Sequence, residues 1–182
     1  MPLRGFPVQS GALDRTGLSH VGRVLPMLPL ENVRDYPRPP ALEPVADRLR
    51  ALFAGVPVAD SVAGLRVLET HHAPTYYIPP ADIVMSALVP STRQTFCEWK
   101  GRAVYFDLVL NGTRAPNAAW SYPAPTTRFA ALRDHVAFYA TALEAAFVGT
   151  IKVVPQPGDF YGGWVTPNLT GRIKGATGTL HW

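Results

Sequence analysis

Ala103-Val104-Tyr105-Phe106-Asp107-Leu108-Val109-Leu110, closed by Asn111-Gly112, decides the fold class. Val, Tyr and Phe fit a pleated, half-buried surface. Asn-Gly accepts the positive φ values of a tight turn and is the strongest hairpin signal in the chain. Upstream, Thr92 to Cys97 reads as a second strand, and Gly101 leads into the first. Similar short runs lie further out. Leu49, Ala51 and Phe53 alternate with Arg48, Arg50 and Leu52, the period of a strand. Ala54-Gly55 turns the chain and Val56 to Ala59 returns. Leu65 to Glu69 puts Leu65, Val67 and Glu69 on one face, and Arg66 and Leu68 on the other. Tyr76 to Ile78 is a short fourth strand. Together these predict a mainly β fold, a small antiparallel sheet or barrel-like domain.

Two helical stretches interrupt the pattern. Pro79-Pro80 opens a helix over 81–88 with Asp82 in its first turn, and Val89-Pro90 ends it. After Pro125, Phe129, Leu132, Val136, Tyr139, Leu143 and Phe147 recur at helical spacing behind Thr126 or Thr127 as N-cap. Ala145 to Val148, Gly149-Thr150 and Ile151 to Val154 read equally as a hairpin. From Pro155 onward six glycines impose loop with short strand pieces.

The chain has 182 residues, 47% apolar and 16% charged, which excludes a disordered protein. Basic residues exceed acidic ones by 17 − 13 = +4, but they are scattered. That disfavours nucleic acid as a partner. The single Cys97 excludes an intramolecular disulfide framework and suits a reducing, cytoplasmic setting. Residues 1–22 carry no apolar segment of secretory type. The apolar stretch Val136 to Val148 is too short and too polar to span a bilayer. Pro2, Pro7, Pro26, Pro29, Pro37, Pro39, Pro40 and Pro44 exclude a long helix or central strand before Val45. The expected organisation is a flexible tail (1–22), an extended arm (23–44) anchored by Leu25, Leu28, Leu30 and Tyr36, and a single β-rich domain (45–182).

Chemistry concentrates in three stretches. In Thr95 to Phe106 a strand puts Cys97 and Trp99 on one face and Glu98 and Lys100 on the other, and a bulge at Gly101 re-aims Lys100. A thiol beside a cation deprotonates more readily, and the thiolate is a nucleophile. The alternative is a lone Cys packed as a small apolar residue. In Glu69-Thr70-His71-His72, Glu69 and His71 share a face, and with Cys97, Asp82 or His135 they could ligate a metal. Adjacent His residues rarely reach one ion, and no H-x-H or H-x₃-H spacing occurs. No metal and no cofactor is therefore expected. In Asn117 to Pro123, Trp120 and Tyr122 point the same way and could wall a pocket with Trp99 and Tyr105. They could equally be core. The chain has no P-loop, no dinucleotide fingerprint and no nucleophile elbow.

Several of these stretches coincide in order and spacing with a known pattern. They are Glu69-Thr70, then Pro74-Thr75-Tyr76-Tyr77-Ile78-Pro79-Pro80-x-Asp82, then Thr95-x-Cys97-x-Trp99-Lys100-Gly101-x-Ala103-x-Tyr105. Asn117-x-Ala119-Trp120-Ser121-Tyr122-x-x-Pro125 and Val136-Ala137-Phe138-Tyr139 follow. The chain closely resembles domain-of-unknown-function family 427 over about residues 28 to 182. His71-His72-Ala73 departs from the family's more usual Ser or Asp, His and Pro. The resemblance implies a small, mostly antiparallel β domain without an agreed activity. A nucleotidyltransferase label is sometimes attached, but no paired carboxylates or Gly-Ser loop support it here. The resemblance also favours the hairpin over 142–154 and shortens the second helix to 127–137.

Because Glu69, Tyr77, Cys97 and Lys100 fall inside the matching stretches, the resemblance implies a shared pocket. The expected catalytic set is Cys97, Lys100 and Glu69, with Tyr76, Tyr77, Trp99, Tyr105, Trp120 and Tyr122 against the ligand. The expected function is a small-molecule enzyme of unassigned reaction, the alternative a non-catalytic ligand-binding or interaction domain. The expected partner is a small molecule, with no membrane. A homo-oligomer is left open.

Overall fold

In a computed structural model the described residues are 28–158 and 160–179. The tail over 1–22 and the Leu25 anchor lie outside them. The fold is mainly β, in several small antiparallel sheets. One sheet has the order Val136–Phe138, Thr113–Ser121, Gly101–Leu110, Leu88–Cys97. The stretch that decided the fold class lies inside it. Asn111 (φ 50) and Gly112 (φ 74) carry the turn, and Leu110 pairs with Thr113. A second sheet orders Ile151–Lys152, Ala145–Val148, Leu49–Phe53 and Val56–Ser61. The expected hairpin after Ala145 is therefore present. A third orders Ala41–Pro44, Leu65–Leu68 and Thr75–Tyr77. An antiparallel bridge from Ile78 to Val136 joins the third sheet to the first.

Strand periodicity sorts side chains into two main cores. Tyr76, Ile78, Val136, Phe138, Leu108 and Trp164 enter one, with Leu49, Phe53 and Val58 from the second sheet. Tyr77, Ala137, Tyr105 and Trp120 face the other way and meet Phe129 and Leu132. Consecutive residues thus serve opposite faces. Each fully buried Leu, Val or Phe stabilises the fold by about 1.5–3 kcal/mol.

Of the segment expected as an arm (23–44), the described part, 28–44, contributes two short strands. Ala41–Pro44 is an edge strand, where Pro is tolerated. Glu31–Asn32 pairs in parallel with Leu169–Thr170. Val33, Tyr36 and Leu68 form a third small core. Leu28 packs on the main core, but Leu30 is exposed. Arg66 ties the segment down by contacts of 2.8 Å to Glu31 and 3.0 Å to Glu43.

Both expected helices are corrected to short 3-10 turns. Over 81–88 the chain makes turns at Pro80–Asp82 and Met85–Ala87, and Leu88 opens a ten-residue strand running through Pro90. A neighbouring strand takes the backbone: the Val84 amide donates to Val58 O at 2.8 Å, and Ile83 bridges Ala59. Asp82 accepts from the Ser61 hydroxyl at 2.6 Å. Over 127–137 a turn at Thr127–Leu132 is broken at Phe129 (φ −109, ψ 19), and Val136–Phe138 is a strand. Phe129 and Leu132 are three apart, which stacks them on one face of a 3-10 turn as well as on a helix. No helix among the described residues is long and apolar enough to cross a membrane.

Candidate functional site

Cys97 pairs directly with Gly101. Glu98, Trp99 and Lys100 are therefore the three-residue loop of a hairpin. Gly101 adopts φ +98, which L side chains avoid and which closes loops of this length. Thr126 pins the loop: its hydroxyl donates to Trp99 O at 2.6 Å and its amide to Lys100 O at 3.2 Å. The strand expected to continue to Lys100 thus ends at Cys97, and Lys100 is re-aimed by a loop closed at Gly101 rather than by a bulge. The loop curls so that Cys97, Trp99 and Lys100 border the same cavity.

That cavity has a volume of about 260 Å³. Glu69 reaches it from the end of the Leu65–Leu68 strand, held by a turn in which the His72 amide donates to Glu69 O at 2.9 Å. Tyr77, Tyr105, Trp120 and Tyr122 line it as well. Their rings interlock: Tyr77 stands edge-on to Trp120 and tilted to Tyr122, each at 6.3 Å. The Tyr105 hydroxyl lies 3.0 Å from that of Thr95. Of the nine residues expected at the site, eight meet in this cavity. Tyr76 is the correction. It alternates to the other side of the sheet, packs on Trp164 at 5.3 Å, and borders a separate cavity beside Arg66.

Lys100 is only 9% exposed. Among the described residues no carboxylate lies within ion-pairing distance of it. Its Nζ sits 5.8 Å from the centre of the Tyr122 ring, a partial compensation for desolvation. Burial pushes the Tyr77 and Tyr122 hydroxyls well above their ordinary range, and at Tyr122 the Lys100 charge pulls the other way. Both phenols are therefore hydrogen-bond donors at neutral pH. Cys97 is half-buried with a free thiol. Glu98 is on the rim, 3.4 Å from Arg38.

A family model described as a domain of unknown function (DUF427) matches residues 41–149, more than half of the chain. The chain belongs to the DUF427 family. No curated protein matches it.

The DUF427 segment supplies all eight of the anticipated cavity residues, but not the whole wall. Gln156, Tyr161, Gly162 and Lys174 also line the cavity and lie beyond the matched residues. Gly162 is seated against the Trp120 ring, so closely that a Cβ would collide with it. Tyr161 stands edge-on to His72 at 4.6 Å, and Lys174 Nζ lies 5.4 Å from the Tyr161 ring. His72 lies inside the DUF427 match, and strand alternation from Glu69 points to His71 instead. His71 adopts φ 63 and borders a different cavity, with its Nδ1 3.3 Å from Arg172 O. The only signal was the turn itself, which needs one residue at positive φ and so reverses the alternation after Glu69. Among the described residues no group of three or more His, Cys, Asp or Glu could hold a metal ion.

Burial lowers the His72 pKa, with Glu69 opposing and Lys174 and Lys100 reinforcing the shift. The folded state therefore favours the neutral ring. As pH falls below the ordinary 6.5, the unfolded chain takes up this proton first, and the stability tied to the neutral ring is lost. The urea midpoint should consequently drop more for the wild type than for His72→Asn between pH 6.5 and about 5. Parallel declines would show that His72 is not held neutral.

Proposed function

We propose that the cavity is a small-molecule site for a compact anion with a planar apolar part, and that Lys100 anchors the charge. The observation that carries this reading is a largely buried lysine that borders a cavity with aromatic faces and, among the described residues, has no carboxylate within ion-pairing distance. A buried charge that the protein does not neutralise is costly. An anionic ligand removes that cost and gains a charge-assisted hydrogen bond. Aromatic walls with few polar groups are the usual lining of such sites.

The catalytic form of the proposal gives Cys97 the role of nucleophile. Lys100 would support the thiolate or the anionic substrate, and Glu69 would accept a proton. It is favoured by the half-buried free thiol on the same cavity as both charged groups.

Benzoate and its neutral isostere benzamide test the binding form. Benzoate should raise the melting temperature and benzamide should not, and Lys100→Ala should abolish the difference. Equal responses to the two compounds would sink the anion site. Iodoacetamide tests the catalytic form. Alkylation of Cys97 should be faster than that of a model thiol and should slow in Lys100→Ala. A rate matching the model thiol, unchanged by the substitution, leaves only binding.

A further inference from the structure

The His72 ring bridges two environments. Its Nδ1 lies 2.9 Å from Thr70 O. A carbonyl oxygen only accepts, so Nδ1 must carry the proton. In a neutral imidazole the other nitrogen, Nε2, is then a bare acceptor. No group among the described residues hydrogen-bonds to it, yet the residue is buried and borders the Lys100 cavity. The Tyr161 edge packs on the ring and fixes its plane. The charged groups facing it are Glu69 on its own turn, Lys100 on the hairpin loop and Lys174 on the C-terminal segment. The two ammonium groups disfavour a second proton on the ring, and Glu69 favours it.

We infer that His72 Nε2 is an acceptor in the cavity and takes a hydrogen bond from an O–H or N–H on the bound anion. This rests on the anion-site reading and narrows the ligand class. The ligand is an anion that also carries a donor, such as a hydroxylated aromatic carboxylate. Lys100 takes the carboxylate, His72 the donor, and the Tyr77, Trp120 and Tyr122 faces the ring. An anion lacking the donor leaves a buried acceptor unpaired, which is the stronger source of discrimination.

Titration calorimetry with the three hydroxybenzoates against the three fluorobenzoates tests this. Fluorine keeps the size and removes the donor. At least one hydroxy isomer should bind about three- to tenfold tighter than its fluoro counterpart, the worth of one neutral hydrogen bond. His72→Asn should equalise the pair by lowering the hydroxy affinity to that of the fluoro compound, whose own affinity should hold. Its side-chain amide can still donate to Thr70 O but has nothing in place of Nε2. A hydroxy preference that survives His72→Asn, or no preference in any isomer, overturns the inference. Nitrogen NMR of the free protein supplies an independent readout. His72 should be the neutral Nδ1–H tautomer at pH 7, and a cationic ring or an Nε2–H tautomer overturns the inference. Failure of both series to bind, with the expected tautomer present, instead overturns the anion site on which the inference rests.

Discussion

Trp164→Ala should destabilise the protein by about 3–5 kcal/mol, the range for removing a fully buried Trp. Trp164 is 0% exposed. Its indole N–H donates to Phe138 O at 2.9 Å and its ring packs on Tyr76. Its amide donates to Pro74 O at 2.9 Å, so the tail closes over the strand that carries Tyr76 and Tyr77. Substitution opens a cavity in the main core and leaves the Phe138 carbonyl unpaired. A domain of this size holds only about 5–15 kcal/mol in total, so the variant should be marginally folded. Trp164→Phe separates the two losses. It keeps most of the volume and should cost about 1–3 kcal/mol for the orphaned carbonyl. Urea unfolding of both variants measures this. A loss below about 1 kcal/mol for Trp164→Ala would mean that the tail is only draped on the core. The residue lies outside the 41–149 family match, so the matched segment is not the whole cooperative unit. Tyr161, Gly162 and Gly163 immediately precede Trp164, and Gly163 O accepts from the Gln156 amide at 2.9 Å. The same anchor that completes the core therefore holds one wall of the cavity.

The hairpins were legible because their turns are coded locally. Asn111-Gly112 and Ala54-Gly55 both adopt positive φ in the turns they were expected to make. The helices were misread because the signal used for them is ambiguous. Phe129, Leu132, Val136, Tyr139, Leu143 and Phe147 have helical spacing, but they belong to a 3-10 turn, a strand, two connections and a second strand. The partners that take their backbone groups, Ile78 for Val136 and Ala118 for Tyr139, are distant in sequence. Nothing local distinguishes that outcome from a helix. The site was legible to the extent that it lies on period-2 strands. Tyr105, Trp120 and Tyr122 fall on the expected side. Tyr76 failed by the same rule, since neighbouring residues on a strand cannot share a face. His72, Gln156 and Lys174 were missed because a turn and long-range closure by the tail place them. No spacing within the sequence encodes either.

Lys100→Met should separate function from stability. Met matches the length of the Lys stem but carries no charge into the buried site. Among the described residues the native ammonium has no carboxylate within ion-pairing distance, and its nearest aromatic face is Tyr122, 5.8 Å from Nζ to the ring centre. Replacing a largely buried charged side chain with an apolar one of similar volume is often neutral or stabilising. The unfolding free energy should therefore hold or rise, by up to about 2 kcal/mol once the lost cation–π contact is subtracted. Benzoate affinity should fall about 10- to 100-fold, the worth of a hydrogen bond to a charged group. Such opposed effects mark a residue kept for binding at a cost to the fold. A structural lysine would behave in the reverse way. If Lys100→Met lowers the urea midpoint and leaves benzoate affinity unchanged, Lys100 belongs to the hairpin loop and the anion must be held elsewhere. Fluorescence of Trp99 and Trp120, which border the same cavity, reports both unfolding and ligand entry.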